Sequence, residues 1–213
     1  MHADLVDRAV ALCAGGRALL GLVGCPGAGK TTVAEHLVAA TRAALGDDAV
    51  AHVPMDGFHL ADRQLDQLAL RDRKGAPETF DVDGYVALLR RLLDPGEVRT
   101  VYAPVFERDL EQPIAGAVAV PPAARLVVTE GNYLLLDRPG WRDLSSVLHE
   151  TWFVDLDTQE RVRRLVARHE LFGKAHRHAV DWVAAVDERN AVLVQQGRDR
   201  ADLVVDAIAA LGP

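Results

Sequence analysis

The sequence predicts an α/β fold: a five-stranded, mostly parallel, doubly wound sheet with helices on both faces and a small lid. Two observations carry that expectation. Five short apolar runs, near residues 19–23, 50–55, 126–130, 152–156 and 203–206, alternate with stretches of helical pattern, and hairpin signals are few. The first run, Leu19-Leu20-Gly21-Leu22-Val23, ends in Gly24-Cys25-Pro26-Gly27-Ala28-Gly29-Lys30-Thr31-Thr32, a glycine-rich loop that opens directly into helix-patterned sequence.

In chain order, residues 3–14 place Leu5, Val6, Ala9, Val10 and Leu12 near helical spacing and stop at Gly15-Gly16, which predicts a packing helix before the first strand. The loop from Gly24 then fits G-x-x-x-x-G-K-[ST] in full, the P-loop pattern. Backbone N–H groups curled around phosphate oxygens make a concave anion site, and Gly24, Gly27 and Gly29 keep side chains out of that approach. The next helix aims its positive dipole end at the same place. Gly24, Gly27, Ala28, Gly29, Lys30, Thr31 and Thr32 are therefore the candidate nucleotide-binding set. Lys30 would reach the β- and γ-phosphates, and the Thr31 hydroxyl would sit on Mg²⁺. Val33, Leu37, Val38, Thr41 and Leu45 mark the buried face of the helix, which ends at Gly46.

The second strand ends in Asp56-Gly57-Phe58-His59. Ligands of open α/β sheets lie beyond the carboxyl ends of strands. Asp56 there can take the proton of an attacking hydroxyl, or hold a metal-bound water, or simply cap a turn. Residues 59–76 are charge-rich and read as a solvated helix, and residues 83–94 as an amphipathic one closed by Asp94-Pro95-Gly96. The 98–120 interval, with Val101-Tyr102-Ala103-Pro104-Val105-Phe106-Glu107-Arg108, reads as a substrate flap or as an ordinary surface hairpin. Glu130 ends the third strand, where it can hold Mg²⁺ or its water, or make only a local hydrogen bond. The fourth strand leads into a helix over 159–172 carrying Arg161, Arg163, Arg164 and Arg168. Of these, Arg161, Arg164 and Arg168 share a side, which suits a lid closing on phosphates over about 160–180, hinged at Gly173-Lys174. Another long helix over 176–196 and a strand over 201–206 complete the chain.

The 213 residues suit one domain, 49% hydrophobic and 26% charged. A net charge of −7 argues against nucleic-acid partners and anionic membranes. Cys13 and Cys25 are too few for a disulfide framework, so a reducing cytoplasm is expected. Asp4 and Asp7 near the start exclude a signal-peptide pattern, and no run approaches the ~18 apolar residues of a membrane span.

The P-loop, the Asp56-Gly57-Phe58-His59 strand end and Glu130-Gly131 together resemble the pantothenate kinase, uridine kinase and phosphoribulokinase group of P-loop kinases. Lys74-Gly75-Ala76-Pro77-Glu78-Thr79-Phe80-Asp81, Glu130-Gly131-Asn132-Tyr133-Leu134-Leu135-Leu136 and the segment from Arg164 through Arg168-His169 to Gly173-Lys174 are similar to its nucleoside/nucleotide kinase-like branch, some of whose members are named as fructose-transport-associated kinases. The resemblance implies a P-loop NTPase fold and a kinase using ATP and Mg²⁺ on a small-molecule acceptor: a sugar, a nucleoside or a pantothenate-like compound. It implies Asp56 as the base, Lys30 and Thr31 on phosphates and Mg²⁺, Glu130 near the metal, and Arg168 as a lid arginine with Arg164 and Lys174 as neighbours. Tyr102, Phe106 and Arg108 fall where uridine kinases build the acceptor pocket, and His59, Lys74 and Tyr133 in the matched segments join them on the substrate side. Uridine kinases carry Ser-Phe-Tyr where this chain has Gly57-Phe58-His59. Relatives often form homodimers, so the resemblance extends a homodimer to this chain as an expectation while its oligomeric state stays open. An ATPase or a nucleotide-binding regulatory module without kinase activity is the alternative, although neither an Asn-Lys-x-Asp nor a Leu-Ser-Gly-Gly signature is present.

Overall fold

The computed structural model describes residues 1–211. In chain order the elements are α1 (Ala3–Leu12), β1 (Ala18–Val23), α2 (Lys30–Leu45), β2 (Val50–Pro54), α3 (Asp62–Gln67), α4 (Val82–Leu93), β3 (Val101–Glu107), β4 (Gln112–Val120), β5 (Leu126–Gly131), β6 (Glu150–Asp155), α5 (Thr158–Leu171), α6 (His176–Trp182), α7 (Glu188–Gln195) and β7 (Leu203–Asp206). The five apolar runs form one sheet in the order β2-β5-β1-β6-β7, with every pairing parallel. The strands β3 and β4 pair antiparallel as a separate hairpin.

Strand β1 is central and buried on both faces, as a parallel sheet covered by helices requires. Its residues alternate between two cores. Leu19 and Val23 join the aromatic side with Tyr85, Tyr133, Trp141 and Phe153. Ala18, Leu20 and Leu22 join the side covered by α1 and α2, with Val33, Leu37 and Trp152. The chain leaves β1 toward β5 and β2 on one side and toward β6 and β7 on the other, which makes the end of β1 a topological switch point. Register places Pro54 opposite Glu130 and Val23 opposite Gly131. The ends of β1, β2 and β5 therefore deliver the P-loop, Asp56 and Glu130 to one edge of the sheet.

Two helices differ from the sequence expectation. Residues 59–76 hold only the short α3, followed by a left-handed turn at Ala69 (φ 55°) and a 3₁₀ turn at Arg71–Arg73. Leu65 is the one buried residue of α3, so no apolar stripe exists to hold a longer helix against the core. The 176–196 helix is interrupted by a π-helical turn at Val183–Asp187 between α6 and α7. Such turns insert a residue into the ladder and re-aim the side chains after it.

Candidate active site

The P-loop wraps the N-terminus of α2 and packs on α5. At Gly27 the backbone sits at φ +79°, and a Cβ there would stand 2.6 Å from Leu165 Cγ and 2.9 Å from the Arg161 carbonyl oxygen. Glycine is required at this position by protein packing as well as by room for a ligand. Gly29 caps α2 without any side-chain hydrogen bond, which leaves the first-turn N–H groups available to an anion. Lys30 is 8% exposed; its Nζ donates to the Cys25 carbonyl oxygen at 3.2 Å and to Asn132 Oδ1 at 2.7 Å. Burial lowers the Lys30 pKa, while Glu130 and Asp56 pull it back up. The Thr31 hydroxyl donates to Glu130 Oε1 at 3.1 Å. Burial, and then the neighbouring Asp56 charge, push the Glu130 carboxyl up to about 7.

Across a cleft of about 380 Å³ stands a second wall. Asp56 lies in the 3₁₀ turn Met55–Phe58 that ends β2, with Arg108 Nη2 at 3.7 Å from its Oδ2. The turn is pressed against the hairpin: a Cβ on Gly57 would meet the Pro104 carbonyl oxygen at 2.3 Å. His59 follows, its Nδ1 2.8 Å from the Asp56 carbonyl oxygen and its ring packed 3.9 Å from Phe80 and 4.8 Å from Phe106. A third wall comes from α5 and the segment after it. Arg168 enters the cleft with no hydrogen bond or ion pair among the described residues. Burial and then nearby Arg108 hold its guanidinium below its ordinary value. His169 Nε2 meets Asp187 Oδ2 at 2.9 Å, and Lys174 Nζ lies 5.0 Å above the Trp182 ring. The cleft joins an anion cradle to a carboxylate at the end of a neighbouring strand, and positive groups face both.

A curated relative from Schizosaccharomyces pombe named "Putative uridine kinase C227.14" is 34% identical over 206 residues, covering 94% of this chain and 82% of its own length. The chain belongs to the uridine kinase-like P-loop kinases. A solved structure described as a "putative fructose transport system kinase" from Silicibacter sp. TM1040 superimposes with a TM-score of 0.84 at 38% identity, covering 94% of this chain and 98% of that one. The YFH7 kinase structure from Saccharomyces cerevisiae, at 19% identity and a TM-score of 0.78, covers 95% and 97% and shares the fold. No protein-family model matches the chain.

Within this uridine kinase-like cleft, Gly27, Lys30, Thr31, Asp56, His59, Lys74, Phe106, Arg108, Glu130, Arg168 and Lys174 stand together. Gly24 and Ala28 are buried and do not line the cleft, and Thr32 is exposed on the first turn of α2. Arg164 stays beside the P-loop, its guanidinium 3.6 Å from where a Gly29 Cβ would sit, and bonds Glu160 at 2.7 Å. Two residues expected on the substrate side stand elsewhere. Tyr102 is 62% exposed and outside the cleft; it pairs with Ala119, whereas Phe106 pairs with Pro113 beyond the register shift between Ala103 and Val105. Tyr133 is fully buried, and its hydroxyl donates to the Gly75 carbonyl oxygen at 2.6 Å, so it supports the wall from behind. Lys74 lines the cleft, yet its ammonium is held by Asp62 at 2.7 Å and by the Glu111 carbonyl oxygen, pinning the hairpin turn to α3. Nor do the three arginines expected on one face of α5 act together. Arg161 is buried, bonding the Pro26 carbonyl oxygen and Glu188, and Arg168 alone of the three lines the cleft.

Several cleft residues escaped the sequence reading. Asn132, the partner of Lys30, had a signal: it follows Glu130-Gly131 at a strand end. Asp187 and Asn190 had none, because the π-helical turn that aims them is invisible to a helical-period pattern.

Proposed function

We propose that this uridine kinase-like protein transfers the γ-phosphoryl group of ATP to a hydroxyl of a small metabolite in a Mg²⁺-dependent reaction. The observation that carries this reading is the Asp56 carboxylate at the end of β2, sharing one cleft with the Lys30 cradle and the unpaired Arg168 guanidinium. Thr31 and Glu130 offer the hard oxygen donors that Mg²⁺ takes. Among the described residues no group of three or more His, Cys, Asp or Glu could hold a metal alone, so triphosphate oxygens would complete the coordination. When bound, the cation supplies charge neutralisation for the triphosphate.

The chain's own residues do the rest. Lys30, fixed by Asn132, binds the β- and γ-phosphates. Arg168 donates to the transferring group, where charge spreads in a loose transition state. Asp56 orients the acceptor hydroxyl and takes its proton as that oxygen bonds to the γ-phosphorus. The bond from the γ-phosphorus to its bridging oxygen breaks, and ADP leaves. The test is ATP consumption with Mg²⁺ across an acceptor panel of sugars, nucleosides, pantothenate and ribulose 5-phosphate, with Asp56→Asn alongside. Strong stimulation by one acceptor, falling about 10²–10⁴-fold in the variant while ATP still binds, is the expected result. Low consumption that no acceptor raises and the variant does not change would return the chain to the ATPase reading.

A further inference from the structure

His59 has one ring nitrogen satisfied and one open. Its Nδ1 lies 2.8 Å from the Asp56 carbonyl oxygen, and a carbonyl only accepts, so Nδ1 carries the proton. Burial lowers the ring's pKa against the opposing pull of Asp56. The imidazole near pH 7 is therefore neutral, with its lone pair on Nε2. Stacking against Phe80 and Phe106 fixes the ring plane. No described residue donates to Nε2, and His59 lines the cleft. A fixed accepting nitrogen in a substrate cleft, in the same turn as the base, leaves a hydrogen bond for the substrate to complete.

We propose that His59 Nε2 accepts a hydrogen bond from a second acceptor hydroxyl, on the carbon next to the reacting one, so that the substrate is a sugar or other polyol. The inference rests on the kinase reading above. It follows from two accepting groups at one turn and in one cleft, the Asp56 carboxylate and the His59 nitrogen, which together offer acceptors to the two O–H donors of a vicinal diol. An acceptor with an isolated hydroxyl leaves Nε2 desolvated and unpaired. A nucleobase N–H does not meet the requirement, because in a nucleoside the ribose separates it from the 5′-hydroxyl that Asp56 would hold.

The experiment uses the full chain with Mg²⁺ and ATP and reads ADP formation. Fructose, ribose and glycerol are the polyol probes; pantothenate and 2′,3′-dideoxyuridine present a primary hydroxyl and carry no vicinal diol anywhere. The best polyol and its deoxy analogue, lacking the neighbouring hydroxyl, are then compared on wild type, His59→Phe and His59→Gln. A polyol should be preferred. His59→Phe should lower its kcat/KM about 10- to 100-fold through KM, and removing the hydroxyl should lower the wild-type value similarly. On the deoxy analogue His59→Phe should cost nothing more, since both changes delete one contact. The Gln amide oxygen, which reaches the Nε2 position, should restore part of the loss. Should His59→Phe not fold, His59→Asn, too short to reach, takes its place. Additive losses, or turnover of pantothenate or 2′,3′-dideoxyuridine matching every polyol, would overturn the proposal and leave the kinase reading standing. Failure of wild type to phosphorylate any acceptor would overturn both.

Discussion

On the P-loop side of the cleft, which the proposed reaction gives to the nucleotide, the groups run continuously through residues 24–32, with Lys30 and Thr31 adjacent at the start of α2. On the opposite side, which the proposed reaction gives to the acceptor, Asp56, Phe80, Arg108 and Arg168 arrive from four separate segments. The first wall is largely local: one strand, one turn and one helix carry its groups, with α5 packed on Gly27 and Asn132 holding Lys30. The second exists only once β2, the hairpin and α5 have docked. Local walls tolerate little change in their own sequence, whereas assembled walls respond to changes far from the chemistry.

Apart from loss of the base in Asp56→Asn, the largest effect expected is at the local wall. Lys30→Ala should cut turnover about 10²- to 10³-fold or more, because a buried ammonium held by the Cys25 carbonyl and Asn132 at the head of the cradle is lost. Lys74→Ala, on the assembled wall, should cost far less turnover and should act on the acceptor KM, since Lys74 is spent on Asp62 and the Glu111 carbonyl. Steady-state kinetics with varied ATP and varied acceptor separate the two. Equal losses of turnover would mean that Lys74 touches the reacting group and that the walls are not built differently.

Strand β2, which carries Asp56 into the assembled wall, has its own weak point. Burial, followed by nearby Arg42, lowers the His52 pKa from 6.5 to about 4, and its Nε2 has no partner among the described residues. The folded state therefore holds the neutral ring, while the unfolded chain takes up a proton as pH falls below about 6.5. The stability contributed by the neutral ring is full above that pH and is lost as pH falls through about 4, at most about 3 kcal/mol. His52→Gln should flatten this acid limb when urea unfolding is compared at pH 7 and pH 4.5. Parallel losses in both proteins would assign the acid sensitivity to other groups.

The contrast between the walls also explains what the sequence made legible. The five strands and the phosphate cradle follow from contiguous patterns, apolar runs and a loop whose glycines are fixed by geometry within the motif. Asp56 and Glu130 were legible for a related reason, being acids at the ends of buried strands. The acceptor wall was legible only in part. Phe106 and Arg108 enter the cleft, but Tyr102 does not; the hairpin register slips between them at Pro104, opposite a β4 stretch holding Gly116 (φ 69°), residues that mark an irregularity without fixing which side chains face the cleft. The pairing of Lys74 with Asp62 joins elements brought together by the irregular turns after α3, and the aim of Asp187 depends on one extra residue in a helical turn. Such features depend on tertiary docking, and local periodicity does not encode them.

Two glycines sharpen the comparison. Gly27→Ala drives a Cβ into Leu165 and should displace α5 from the P-loop, so that ATP affinity falls first. Gly57→Ala drives one into the Pro104 carbonyl and should push the hairpin away from Asp56, so that the acceptor KM rises first. Each overpacking should destabilise the fold by about 1–3 kcal/mol. Binding of ATP analogues measured by calorimetry, beside acceptor kinetics, reads the two effects independently. Loss of ATP affinity in Gly57→Ala equal to that in Gly27→Ala would show the two walls to be one mechanical unit.

The smallest effect is expected at Tyr102. The resemblance places it in the acceptor pocket, while the structure leaves it 62% exposed on the far side of the hairpin irregularity. Tyr102→Ser should therefore change stability by less than about 0.5 kcal/mol, as surface substitutions do, and leave the acceptor KM within about twofold. Phe106→Ala, four residues along the same strand, should raise that KM, because its ring packs on His59 and faces the cleft. A large KM increase in Tyr102→Ser, with stability unchanged, would mean that the hairpin turns Tyr102 inward when acceptor binds. The assembled wall would then be completed by its substrate, and the difference between the two sides of the cleft would be one of timing as well as of construction.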